Sequence, residues 1–434
     1  MMRARWIPLV AVATMATVVI GASARAQDTT RGVRIGLGYA GTKPGVLVLA
    51  ILGVGGDSAR AIIERDLDYG DRVAVISNTN GTIGSNAGAT VNYGLFAKLG
   101  AAAVVQCFLG PSTLHVIVHD VAQSRVAQAR DFVVPATTNS PEWRMALHNA
   151  SDEIERVITG VRGVSATRIA FVRDGQIYAI DQDGEGSRAL TGPGLALSPA
   201  WHPTGRYVTY SISTPKGWDV MVKDLSTGTV RALVATPGGL NTTPLFSPDG
   251  NTIAYTHGLE SGTDLYIAPA FSNEGARQIT VGRGTDNTQP TYSPDGHRLA
   301  FTSGRSGHPE VYITDVDGTD AELLTPLDFE EQAYRCSPDW SPDGRVVAFQ
   351  ARVAGQFQVM TITLRDRVVK QLTSDGINTD PSWAPDARHL VFTSTRTGVE
   401  QLFVLDVESG RTRQLTHGNA ARLAAWSRPL TRLP

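Results

Sequence analysis

An aromatic residue recurs through the C-terminal part of this chain at Trp201, Phe246, Tyr292, Trp340, Trp383 and Trp426, with spacings of 45, 46, 48, 43 and 43 residues. A period in that range belongs to propeller blades and to paired-helix solenoids, so the local pattern must separate the two. Each unit holds short β-rich runs between turn signals, such as "RLAFTS" (298–303), "EVYITD" (310–315) and "ELLT" (322–325). These read as strands. After the aromatic strand, Ser247-Pro248-Asp249-Gly250, Ser293-Pro294-Asp295-Gly296 and Ser341-Pro342-Asp343-Gly344 spell a type I turn. His202-Pro203-Thr204-Gly205 and Ala384-Pro385-Asp386-Ala387 are weaker copies.

The repeat is out of phase with the chain. It opens at "RIAFV" (168–172) without an aromatic strand, and its last copy, "LAAWSRPL" (423–430), has that strand alone. The C-terminal strand therefore completes the first blade, which closes a ring and removes free sheet edges. Six four-stranded blades follow. Before them, residues 33–160 hold an apolar run "VLVLAIL" (46–52), a helix opened and capped by Asp57, and a helix-to-strand stretch "NYGLFAKLGAAAVVQCFL". Two strand-like runs and a helix from Pro141, suited to a first turn, complete that part. The expected fold class is an α+β two-domain protein: a small N-terminal α/β domain (41–163), then a six-bladed β-propeller (164–434) closed by a C-terminal strand.

Residues 1–26 read as a secretory signal, with Arg3 and Arg5 before a mainly apolar stretch and Ala24-Arg25-Ala26 as the cleavage site. Pro8, Thr14 and Thr17 interrupt a stretch already short of the roughly 20 residues that a membrane span needs. Export with cleavage near Ala26 implies the periplasm and no membrane insertion afterwards. Losing the leader's three arginines takes the formal charge from −2 to −5, without the basic footprint of a nucleic-acid binder. Cys107 and Cys336 are too few for a disulfide framework and match no metal motif.

No catalytic constellation emerges. Gly36-Leu37-Gly38-Tyr39-Ala40-Gly41 spells a dinucleotide fingerprint, but Lys43-Pro44-Gly45 follows where a helix is required. Ser58 in "GGDSA" lacks the flanking glycines of a nucleophile elbow. His115 and His119 have helical metal-pair spacing in a strand sequence, where four residues span about 13 Å, and read as solvent-facing. Asp249, Asp295, Asp343 and Asp386 hold one turn position in different blades and cannot form an acid/base pair. No cofactor and no metal are expected.

One repeated feature is not explained by packing: Asn241-Thr242-Thr243-Pro244, Asn287-Thr288-Gln289-Pro290 and Asn378-Thr379-Asp380-Pro381 precede three aromatic strands. They read either as turn punctuation or as loops gathered at one channel mouth for binding.

The stretch "NASDEIERVITGVRGVSATRIAFV" (149–172), the S-P-D-G blades and the closing "AAWS" resemble the TolB family, periplasmic components of Tol–Pal envelope systems. The resemblance implies a non-enzymatic, monomeric binding protein whose propeller face engages the lipoprotein Pal and whose N-terminal arm (27–40), with Arg34, Ile35 and Leu37, engages TolA. By position it places Leu240, Thr243, Thr288 and Gln289 on the Pal-facing mouth, beside Asn241, Asn287, Asn378, Thr379 and Asp380 of the repeated segments. The rival expectations are a stand-alone periplasmic propeller that acts as scaffold or ligand binder, and a non-catalytic propeller related to peptidases.

Overall fold

The computed structural model describes residues 43–77, 91–236, 238–259, 262–272, 275–282, 285–325 and 334–430. The leader, the arm with Arg34, Ile35 and Leu37, and the Gly36–Gly41 motif lie outside them.

The N-terminal part is a five-stranded sheet between helices. Gly45–Val48 (β1) runs parallel to Ala74–Val75 (β2) and Ala103–Leu109 (β3), and Thr113–Asp120 (β4) and Arg125–Val133 (β5) continue antiparallel in the order β2-β1-β3-β4-β5. Helices Gly56–Tyr69 (α1) and Pro141–Thr159 (α3) cover one face, where Ile63, Leu67, Trp143 and Leu147 pack on Val46, Val48 and Val105. Tyr93–Lys98 (α2) covers the other through Phe96 against Leu47, Leu49 and Val104. Burial on both faces is why β1 reads as an unbroken apolar run.

The helix ends follow local chemistry. Ser140 Oγ accepts the Trp143 N–H at 3.1 Å, Pro141 needs no hydrogen bond at the first helical position, and Gly160 ends α3 at φ 81°. Asp57 does not cap α1: Gly55 holds the N-cap at φ 85°, with Asp57 in the first turn. The chain passes so close here that a Cβ on Gly56 would lie 2.0 Å from the Ile51 carbonyl oxygen.

The remaining strands are short meanders. Three four-stranded sheets begin at Asn287–Tyr292, Arg335–Trp340 and Asn378–Trp383, and a fourth joins Arg422–Trp426 to Arg168–Arg173, Gln176–Asp181 and Arg188–Ala189. The C-terminal strand thus supplies the quarter that the first repeat lacks, with Trp426 opposite Ile169. The strands from Ala196 to Gln278 pair as a single eight-stranded sheet rather than two separate ones. Gly217, at φ 132°, lets Trp218 N–H reach the Gly239 carbonyl at 3.0 Å, which pairs Trp218 with Leu240 across two meanders. The innermost strands touch in succession, and the last touches the first.

The turn spelling has a direct physical basis. Ser247 Oγ accepts the Thr252 N–H at 3.0 Å and donates to Asp249, whose carboxylate takes the Asn251 N–H at 3.0 Å, while Gly250 adopts φ 78°. The turns at Ser293 and Ser341 repeat this pattern. Five of the six repeat aromatics are buried, as core packing requires, and Trp201 is half-buried. They also tie neighbours together: Trp201 Nε1 donates to Ala425 O at 3.1 Å and Trp383 Nε1 to Asp339 O at 3.2 Å.

Candidate docking site at the channel mouth

The Asn-Thr-x-Pro segments are strands, not loops: they open the innermost strands Leu240–Phe246, Asn287–Tyr292 and Asn378–Trp383. Each innermost strand is bulged at the same place. Ser198, Thr243, Gln289, Ser337, Asp380 and Leu423 have φ of 51°, 49°, 54°, 52°, 51° and 53°, and the register with the next strand slips there. Proline follows in five of the six, where a bulge asks for no ladder N–H. The six bulges line one cavity of about 180 Å³.

Of the expected residues, Thr243, Gln289 and Asp380 line this cavity, whereas Leu240, Asn241, Asn287, Thr288, Asn378 and Thr379 do not. Leu240 is 37% exposed, and Thr243, Thr288, Gln289, Thr379 and Asp380 are half-buried. Asn241, Asn287 and Asn378 are fully buried and committed to the fold. Asn241 donates to Trp218 O at 2.8 Å, Asn287 to Asp264 Oδ1 at 2.9 Å, and Asn378 to Gln358 Oε1 at 2.8 Å. Gln289 joins two blades, donating to Ser337 Oγ at 2.9 Å while its Oε1 accepts the Ser337 N–H at 3.0 Å. The mouth is therefore a rigid, hydroxyl- and amide-rich rim held from beneath by buried asparagines.

Two carboxylates sit in it. Burial pushes Asp339 up to about 6, against hydrogen bonds from Trp383 N–H (2.7 Å) and Thr291 Oγ1 (3.3 Å). Burial also raises Asp380, against hydrogen bonds from Thr379 and Ser337. The sequence reading missed Arg305 and Arg396, which donate to the buried amides of Asn287 (3.2 Å) and Asn378 (3.1 Å) and stack over Tyr312 and Phe403 at 4.7 Å. Their signal was available as the repeated "TSGRSG" (302–307) and "TSTRTG" (393–398).

Elsewhere, His115 is half-exposed beside Asp131, but His119 is buried, contrary to expectation, because Tyr93 of α2 reaches across to its Nδ1 at 3.0 Å. Asp386 keeps the common turn role through Oδ1, which accepts the Arg388 N–H at 3.1 Å, and with Oδ2 also takes Arg72 at 3.0 Å and His389 at 2.8 Å. Asp66, His148 and Asp183 offer ligand atoms within 4.8 Å of one another. The set does not suit a cation, since Asp183 already accepts Arg144 at 2.6 Å and pairs with Arg65. Among the described residues no helix is long and apolar enough to cross a membrane.

The family model for the TolB beta propeller domain matches residues 155–335 and 329–429. The chain belongs to this family. A Tol-Pal system protein TolB from Anaeromyxobacter dehalogenans is 32% identical over 145 residues, 32% of each chain. The TolB of Legionella pneumophila strain Corby is 29% identical over 210 residues, covering 44% of this chain and 48% of the relative. These matches span from about a third to about half of the relatives' length. The crystal structure of TolB from Acinetobacter baumannii superposes with a TM-score of 0.77 at 23% identity, over 89% of this chain and 97% of that one. The TolB fold thus extends to both the α/β layer and the propeller.

Proposed function

We propose that this protein is the non-enzymatic docking component of a Tol–Pal system, exported to the periplasm with its leader cleaved near Ala26. The eight-stranded sheet counts as two blades in this reading, giving a six-bladed propeller (164–434) after an α/β domain (41–163). The propeller mouth binds the periplasmic domain of Pal, and the arm (27–40), through Arg34, Ile35 and Leu37, binds TolA. Family membership supports the system, and the ring of six bulged strands supports the mouth. In this reading Leu240, Thr243, Thr288, Gln289, Thr379 and Asp380 make the docking rim, with Asn241, Asn287 and Asn378 as their scaffold. A pre-organised rim loses little conformational entropy on binding, and hydroxyl and amide groups pair with a folded partner without burying an unpaired charge.

Calorimetric titration of the monomer with the Pal domain from the same organism tests the reading. Saturable one-to-one binding is expected, and titration without heat or complex would remove Pal as the partner.

A further inference from the structure

The α/β layer meets the propeller along a seam that holds two buried histidines in the same arrangement. His148 of α3 is 0% exposed; its Nδ1 lies 2.8 Å from Asp66 of α1, and its Nε2 faces Asp183 at 3.9 Å and Asp181 at 4.0 Å, across the seam. The side chain of His389 is 2% exposed; its Nδ1 lies 2.8 Å from Asp386 and its Nε2 faces Asp406 at 3.9 Å. Among the described residues, neither Nε2 has a hydrogen-bond partner. A neutral imidazole has one N–H, so it can serve one flanking carboxylate and must turn a lone pair on the other. Only the imidazolium donates to both sides.

We propose that this seam is a proton-dependent latch, in which the imidazolium form of His148 bridges Asp66 of the α/β layer to Asp181 and Asp183 of the propeller and so holds the two together.

The surrounding charges fit that role. Around His148 stand Arg65, Asp66 and Tyr69 of α1, Arg144 of its own helix, Arg168, Asp181 and Asp183 from the closing blade, and Arg413 over the Tyr69 ring at 4.2 Å. Around His389 stand Asp71, Arg72 and Glu155 from the α/β layer, with Arg388, Asp406, Glu408 and Arg411 from the propeller. Arg72 itself crosses the seam, pairing Glu155 at 3.1 Å with Asp386 at 3.0 Å. Burial works against the charge on His148, yet Asp66, Asp183 and Asp181 outweigh it and leave its pKa raised. A histidine with a raised folded pKa contributes stability below its ordinary value near 6.5 and loses it as pH rises through the folded value.

Neighbouring acids reinforce the direction. Burial raises Glu155, against its pairing with Arg72, and pushes Asp152 up to about 7, against the Ser165 and Ala166 N–H groups that its carboxylate accepts, so each costs the folded state stability as pH rises past the ordinary carboxylate value. Asp183 and Asp386, both buried but held low by cationic neighbours, stay ionised through the same range. The latch is therefore closed in mild acid and loosens above neutrality, while the sheet cores carry no such dependence.

The test is hydrogen exchange on the full chain between about pH 6 and about pH 9, normalised to intrinsic rates, with nitrogen NMR of the histidine rings on the same protein. Protection of the amides of Ser165, Ala166 and Gln182 should fall at least about tenfold with rising pH, while β3 and β4 stay constant. The His148 ring should be doubly protonated at the acid end. In the His148→Gln protein, protection should be low and independent of pH; should that variant fail to fold, the ring protonation of the native protein decides. A neutral His148 ring in mild acid, constant seam protection in the native protein, or a pH dependence that survives the substitution would each overturn the latch.

Discussion

Replacing Trp426 by alanine probes the closure of the ring through one side chain. Trp426 is 8% exposed, packs with Ile169, Phe171 and Val391, and donates from Nε1 to Thr167 Oγ1 at 2.8 Å. Removing an indole of this burial returns about 200 Å² of apolar surface to solvent or cavity, about 5 kcal/mol at about 25 cal/mol per Å². Thr167 Oγ1 still donates to Val164 O at 2.6 Å, so the lost hydrogen bond leaves no orphaned donor. The expected destabilisation is about 3–5 kcal/mol, the range for large-to-small changes at buried aromatics. Urea unfolding followed by far-ultraviolet circular dichroism measures it. Val399→Ala, at a site 51% exposed, serves as the control and should shift stability by less than about 0.5 kcal/mol. Deleting residues 421–434 should do more, because it strips the strand paired with Arg168–Arg173 and bares an edge that aggregates. A Trp426→Ala protein within about 1 kcal/mol of the parent would refute the view that this strand locks the ring.

Three further outcomes are expected. Thr288→Arg should weaken Pal binding at least about tenfold, about 1.4 kcal/mol, with an unchanged melting curve, because it crowds the rim without entering a blade core; unchanged affinity would move the docking face elsewhere. Deleting residues 27–39 should abolish capture of TolA and leave Pal binding intact, whereas equal capture by the deleted and full-length proteins would dismiss the arm. Burial pushes both Cys107 and Cys336 up to about 12, so neither should react with a thiol-specific reagent near neutral pH until the chain is unfolded, and rapid labelling of the native protein would contradict this burial.

The parts of the fold that were legible in the sequence are those decided by local chemistry. The S-P-D-G turns encode their own hydrogen bonds, Ser140-Pro141 and Gly160 bound α3, and counting strand types separately exposed the missing quarter filled by Arg422–Trp426. What was hidden depends on partners distant in the chain. Asn241, Asn287 and Asn378 read as turn residues because asparagine favours turns, but acceptors on Trp218, Asp264 and Gln358 bury them. The bulges were equally silent, since a threonine, glutamine or aspartate at positive φ has no compositional signature when the surrounding sheet imposes it. His119 was misjudged for want of Tyr93, which a single strand's alternation cannot reveal. Asp386 left a readable trace: its turn has Ala384 and Ala387 where the others have serine and glycine, and its carboxylate serves the seam.

A hydrogen-exchange footprint of the complex with the Pal domain tests the central claim most directly. The account predicts new protection concentrated in 240–243, 287–289 and 378–380, around the bulged mouth. Protection confined to the α/β layer or to the outer strands of the blades, with the mouth unchanged, would contradict it.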